Sequence, residues 1–500
     1  MINIKLMAIG MLASIAVLAQ EAPPPAQQTL SEKVHERFSK EGLKVYLSPD
    51  SSKWLKATVV MQAQARYDWN NTGTTVGGYA QSETADAGLR RLRFQLYGYV
   101  SKHVFVYTQF GLNNFNYLAP RKQNAFFHDA VAEYKVWENK KYLSLGAGLT
   151  SMGGPLRYSA PAVGSILMAD APIYQQTTAD QNDQFGRKLG VYIKGQIGKF
   201  DYRIGVSKPF AMQTMVPVLG VPSSSLPFDT AYATNAKFSP RPPELQYQAY
   251  FKYHFFDTDN YDLPYNTGTY LGKKRMLTLG AGIQYQQNAV RYWDSSAASI
   301  PTLVVATTGT AVAAYNKELN KYMVYHDLLI IGVDLFYDSY INKEKGNAIS
   351  AYGAFSYADY GQNYLRYNGV MNMATGNNGT TSTNNAPVNN KNSYGNAFPM
   401  MGTGNTKFVQ VAYKFKNDLL KKCGTIQPYL GVQVAQYQAL QYNSMVVADI
   451  GVNWLVSGYN KISLNYQSRP VYQYTPSTNE YLGSGSGRTG LLYLQYQIAF

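Results

Sequence analysis

The stretch LKATVVMQAQARYDW, residues 55–69, alternates between two kinds of side chain. Leu55, Ala57, Val59, Met61, Ala63, Ala65, Tyr67 and Trp69 are apolar or aromatic. Lys56, Thr58, Gln62, Gln64, Arg66 and Asp68 are polar, and Val60 is the one apolar residue in their set. Successive side chains of a β-strand point to opposite faces, so this period of two predicts a strand with one greasy and one wet face. The pattern recurs in Leu92/Phe94/Leu96/Val100 against Arg91/Arg93/Gln95, and in Leu245/Tyr247/Ala249/Phe251/Tyr253 against Gln246/Gln248/Lys252/His254. It returns in Val409/Val411/Tyr413/Phe415, in Ala448/Ile450/Val452/Trp454 and in the final LLYLQYQIAF, residues 491–500. Such segments exceed the usual strand length of about 5–6 residues. They match the roughly 9–11 residues a tilted strand needs to cross a bilayer.

Composition agrees with sheet. The 44 Tyr and 42 Gly are poor helix material, and aromatic side chains suit a pleated surface. Charged residues make up only 15% of the chain, against a usual quarter or so. The formal net charge is +15, but no run of Lys or Arg gathers it into a patch, which argues against a nucleic-acid footprint. The single cysteine, Cys423, has no intrachain disulfide partner. Lys5 followed by LMAIGMLASIAVLA reads as an export signal, expected to be removed after Ala19, over residues 1–19. The segment 20–53 follows, and Thr29-Leu30-Ser31-Glu32 fits a capping box opening one short helix over 29–45.

From residue 54 to 500 the alternation predicts sixteen strands: 54–67, 90–101, 103–112, 127–137, 142–150, 188–198, 200–208, 244–256, 275–287, 327–340, 347–359, 405–416, 425–438, 445–456, 460–469 and 489–500. Short connections such as 101–103, 138–141, 198–200, 342–346 and 457–460 alternate with long polar ones at 68–89, 113–126, 151–187, 209–243, 288–326, 360–404 and 470–488. The connections 257–274 and 439–444 break this rule, one too long and one too short. Short turns on one rim and long loops on the other are the layout of a transmembrane antiparallel β-barrel with periplasmic turns and external loops. A soluble barrel would turn its polar face outward, whereas lipid demands the reverse and a closed ring without free edges. On this fold class, all-β, the last strand closes on the first and Phe500 lies at the periplasmic rim.

That ending resembles the terminal aromatic strand of Gram-negative outer-membrane proteins, which implies an outer-membrane location and lipid as the first partner. RRLRFQLYGYVSKHVFVYTQFGLNNFN (90–116) and DQFGRKLGVYIKGQIGKFDYRIGV (183–206) are similar to segments of the phosphate-selective porin superfamily, in a branch described only as porins. The resemblance implies a sixteen-stranded, often trimeric pore whose third external loop folds inward. In this sequence that loop is 151–187, and its apolar run PAVGSILMADAPIY (161–174) calls for a dry seat. Sixteen strands leave room for an aqueous channel, and residues 20–53 are too few for the separate plug domain of the 22-stranded transporters.

By parity the inward basic residues are Arg66, Arg91, Arg93, Lys194, Arg203 and Lys252, with Lys135 and Lys414 nearer the short-turn rim. Fixed positive charge in a pore concentrates anions. The inward acidic residues Asp129, Glu133, Asp334, Asp338 and Asp449 oppose that preference. The expected solutes are therefore small and hydrophilic or anionic, with a weak anion or phosphate selectivity; the family's phosphate selectivity does not transfer automatically, because only part of its basic set is present. Outward Trp54, Tyr67, Trp69, Trp454, Tyr496 and Phe500 sit near strand ends, where interfacial girdles belong.

No enzyme, cofactor or metal is expected. The histidines His35, His103, His128, His254 and His326 lack metal-ligand spacing, and the adjacent pair His128–Asp129 should point to opposite faces. The competing expectation is an occluded scaffold barrel whose external loops bind other proteins; 370–405, rich in Asn, Gly and Thr, would be one such loop.

Overall fold

The computed structural model describes residues 43–76, 78–116, 125–176, 187–210, 236–239, 243–293, 323–368, 395–475, 480–482 and 487–500. The chain divides into two units, 1–45 and 46–500. The export signal 1–19 and most of the helix expected over 29–45 lie outside the described residues. Its last residues, Leu43–Val45, belong to a strand, Leu43–Tyr46, and not to a helix.

Among the described residues of the second unit, sixteen long strands form a closed ring. They are β1 (Trp54–Trp69), β2 (Glu83–Tyr99), β3 (Val104–Asn116), β4 (Phe126–Lys135), β5 (Ser144–Thr150), β6 (Lys188–Ile197), β7 (Phe200–Lys208) and β8 (Gln246–His254). The other half comprises β9 (Met276–Trp293), β10 (Met323–Asn342), β11 (Asn347–Asp359), β12 (Gly404–Lys414), β13 (Thr425–Tyr437), β14 (Ser444–Ser457), β15 (Asn460–Pro470) and β16 (Arg488–Ala499). Each strand pairs antiparallel with its sequence neighbours, and β16 closes on β1 through Val60↔Ala499 to Asp68↔Leu491. Val59 and Phe500 add reciprocal backbone hydrogen bonds of 2.9 and 3.1 Å at the end of that seam. Closure leaves no row of unpaired N–H and C=O groups.

The faces are inverted relative to a soluble protein. Along β8, Tyr247 and Tyr253 are each 48% exposed, while Gln246 and His254 are fully buried. Leu279, Val333, Val409, Ile450 and Leu494 likewise point out and stand exposed. An apolar exterior over a polar interior is the arrangement lipid requires. Aromatics gather at the strand ends: Trp54 meets Tyr97 and Tyr99 edge-on, and Trp69 lies between Tyr67 and Tyr466.

Two β-bulges re-aim side chains, as bulges do. Between β1 and β2 the register passes from Ala63↔Leu89 to Gln62↔Arg91, so Arg90 is the extra residue and is buried together with Arg91. Between β3 and β4 it passes from Phe110↔Phe127 to Gln109↔Asp129. His128 is the extra residue there, and it is buried alongside Asp129 while Phe127 is exposed. The expectation that His128 and Asp129 take opposite faces is thus overturned by one inserted residue.

Connections differ in character by rim. The connection 438–443 is a single 3-10 turn, Gln438–Leu440. The long connection 255–275, on the rim of short turns, runs into the barrel.

Candidate functional site in the barrel lumen

The interior is occupied by two segments that enter from opposite rims. The first is 151–176, the described part of the third long connection. It leaves β5 through Met152, Gly153 and Gly154, which have φ of 58°, 99° and 76°. A Cβ on Gly154 would lie 2.5 Å from Cβ of Ser159, so the left-handed turn and the close return both require glycine. Pro155 and Leu156 then lie against β9 and β10 where the wall carries glycine: a Cβ on Gly282 would sit 2.5 Å from the Pro155 carbonyl oxygen, and one on Gly332 2.6 Å from Leu156. Short 3-10 turns at Arg157–Ser159, Val163–Ser165 and Ile173–Gln175 carry the chain across.

The apolar run of this segment is buried. Ile166, Leu167, Met168, Ala169, Ala171 and Tyr174 join one cluster with side chains of β9–β14 and β16, including Met276, Phe336, Tyr352, Phe408, Tyr429, Val447 and Tyr493. Phe398, Met400 and Met401 of the connection between β11 and β12 complete it. Polar ties set the register: Asn453 Nδ2 donates to the Leu167 carbonyl at 2.8 Å, and Lys461 Nζ to the carbonyls of Ile166, Leu167 and Met168 at 2.8–3.2 Å.

The second segment is 257–274, between β8 and β9. Its backbone meets the first in a parallel bridge, Pro161↔Asn266. Ala162 N donates to the Asn266 carbonyl at 2.9 Å and Asn266 N to the Ala160 carbonyl at 2.8 Å. Arg157 forms a bidentate pair with Asp259 at 3.0 and 2.8 Å, donates to the Thr267 carbonyl at 3.1 Å, and lies 3.8 Å over the Phe336 ring. Burial alone would raise the Asp259 carboxyl, but the Arg157 and Lys252 cations outweigh it and hold the carboxyl well below the usual carboxylate range.

Of the thirteen residues expected inside, Lys135 is half-buried and Lys414 is buried, donating to the Gly346 carbonyl at 2.6 Å; the other eleven face inward, are buried, and have partners. Arg66 pairs with Asp86 across β1 and β2, its Nε donating at 2.8 Å. Arg91 bonds Gln62 at 2.8 Å and Asp170 at 2.7 Å. Arg93 donates to the carbonyl of Leu112 at 2.6 Å and to Asn113, with no carboxylate among its described partners. Lys194 pairs with Glu133 at 2.7 Å and donates to the carbonyls of Tyr261 and Asp262. Arg203 donates to the Pro264 carbonyl at 2.6 Å. Lys252 reaches Asp259 and Asn266, each at 3.0 Å.

Among the acids, Asp129 accepts from the Tyr265 hydroxyl and from Gln109. Asp334 accepts from the Arg157 N–H at 2.8 Å and from Tyr250. Asp338 accepts from Thr269, the N–H groups of Tyr270 and Gly272, and Ser350. Asp449 stands apart from these, held by Asn465 and Gln467. Parity missed Arg90, which shares Asp170 with Arg91 because of the bulge. It could not reach Arg157, Asp170 or Asp259, which lie on connections without a period. Lys461 was within its reach, as the inward neighbour of Ile462.

No protein-family model and no curated protein matches the chain. Among solved structures it is similar to OprB of Pseudomonas putida, at 10% identity over 89% of this chain and 94% of that one, with a TM-score of 0.46. It is also similar to OmpT, an outer membrane protein of Vibrio cholerae (8%, 91% and 99%, TM-score 0.42), and to Rhodopseudomonas blastica porin (10%, 89% and 100%, TM-score 0.37). No site residue is transferred from these remote likenesses.

Proposed function

We propose that this chain is an outer-membrane channel of porin type, exported by its leader, through which small hydrophilic solutes diffuse passively at a constriction formed by the third external loop. What carries this reading is the closed sixteen-stranded ring with apolar residues outside and Gln, Asn, Arg, Lys and Asp inside. Such a wall is costly to line with nothing but protein and suits water and ions. Weak anion preference belongs to the same proposal. Arg66, Arg90, Arg91, Arg93 and Arg187 face Asp68, Asp86, Asp129 and Asp170 in the region of β1–β4, an excess of one positive charge. Assembly as a homotrimer in the membrane, with no cofactor, completes it.

A second reading, an occluded scaffold barrel, is favoured by one observation: each of the sixteen strands has inward side chains that are almost wholly buried. Planar-bilayer recording of the purified protein separates the two. The channel reading expects small unitary steps without an energy source and a reversal potential of anionic sign in a salt gradient. Folded, inserted protein that passes no current would leave the scaffold; a cationic reversal potential would remove the charge argument.

A further inference from the structure

We infer that the connection 257–274 is a second constriction element, entering from the periplasmic rim, and that its Asp259 locks it to Arg157 of the third loop and Lys252 of the wall, so that this lock sets the bore of the channel. The inference rests on the channel reading above. The connection is long on a rim where neighbouring turns are as short as Gly198–Lys199, between β6 and β7. It is not a surface flap, since Tyr261, Tyr265 and Tyr270 are all buried. Its backbone is zipped to the third loop by the Pro161↔Asn266 bridge, by Gly268 N to Ser165 Oγ at 3.0 Å and by Tyr158 Oη to the Gly268 carbonyl at 3.1 Å. The two inserted segments therefore move, if at all, as one body.

What holds that body in place differs in kind. Lys194, Arg203 and Tyr459 grip the second segment by its carbonyls at Tyr261, Asp262, Pro264 and Thr269, and Asp338 of β10 accepts from the Thr269 hydroxyl and the N–H groups of Tyr270 and Gly272, neutral groups all. Water can take over such bonds one by one. Asp259 is different, because it gathers Arg157, Lys252 and the Tyr270 hydroxyl, at 2.8–3.0 Å, from three separate elements. Among the described residues, Arg157–Asp259 is the one ion pair joining the two inserted segments. A buried pair that loses one member leaves the other charged and unpaired, so losing Asp259 strands Arg157 within the inserted body and frees that body from Lys252 of the wall.

The wall is also prepared for release. Lys252 lies 3.5 Å from Asp201, whose carboxylate oxygens have no hydrogen-bond partner among the described residues. When Asp259 departs, Lys252 keeps a counter-ion, and the wall is not left with a bare cation.

The test uses the full chain in planar bilayers, with folding confirmed by heat-modifiable migration. Asp259→Asn should raise unitary conductance several-fold, Asp259→Glu should stay near wild type, and replacing 258–273 by a short turn should match or exceed Asp259→Asn. Asp201→Asn alone should leave conductance unchanged, and it should diminish the gain when added to Asp259→Asn. Wild-type conductance in Asp259→Asn beside a several-fold gain in the excision variant would overturn the lock. An excision variant that conducts like wild type would overturn the second constriction while leaving the channel reading standing. Silence of every folded variant would overturn both.

Discussion

The lumen has two halves, and they hold the inserted segments by different physics. Along β1–β8 the wall grips with Arg90, Arg91, Lys194, Arg203 and Lys252, through bonds of 2.6–3.0 Å to carboxylates and carbonyls. Along β10–β16 it offers Phe336, Tyr352, Phe408, Tyr429 and Tyr493, against which Ile166, Leu167 and Met168 are buried. Apolar burial is non-directional and contributes roughly 1.5–3 kcal/mol per large side chain. Charged hydrogen bonds add little net energy but tolerate little displacement, and an orphaned partner is costly. The aromatic half thus supplies adhesion, and the charged half decides where the inserted chain sits. The aromatic half has three exceptions: Lys461, a cation held by three carbonyls of the third loop, and Asp334 and Asp338 of β10, which accept from Arg157 N and from Thr269, Tyr270 N and Gly272 N.

This contrast can be broken from either side. Removing the charged anchor should have the largest effect: Arg157→Ala leaves Asp259 to Lys252 and Tyr270 and should cost about 4 kcal/mol of local stability. Hydrogen exchange should show protection lost across both 151–176 and 257–274, because they are bonded to each other. Loss confined to one segment would contradict a single body. Leu167→Ala should cost about 3 kcal/mol through the cavity it leaves, loosening 161–174 while conductance changes less than with Arg157→Ala. Gly431→Ala pushes a methyl group to within 2.7 Å of the Met168 sulfur, and should cost about 1 kcal/mol because the thioether end can shift. A cost as large as that of Leu167→Ala would mean the aromatic half is rigid.

Arg93→Gln should barely alter conductance, yet reduce the anionic reversal potential, since Arg93 carries charge without a described carboxylate. Acidification should have the smallest effect. The Asp259 carboxyl is held well below its ordinary value, so its contribution is present above the usual aspartate range, about pH 4, and is lost only as pH falls through its depressed value. Conductance should therefore be unchanged between about pH 5 and 8 on account of this group, and an acid-triggered opening in that window would assign the lock elsewhere.

Much of the framework was legible. Period-two alternation located all sixteen strands, and parity placed Arg66, Lys194, Lys252 and Asp334 on the inner face, because an unbroken strand leaves a side chain no third option. Parity failed at Arg90 and His128. A bulge is a property of two strands in register, and nothing in either strand alone announces which residue is skipped. The apolar run 161–174 announced its need for a dry seat, but the seat is assembled from seven strands. The length of 257–274 was visible only as a breach in the alternation of rims, and its inward course was not.

Residue order by itself determined which side chains face lipid and which face the axis, since that depends only on neighbours one and two positions apart. What fills the axis was decided by tertiary structure. Arg157, Lys252 and Asp259 meet through the closure of a ring, and their attraction is strong only where the surrounding protein keeps water out.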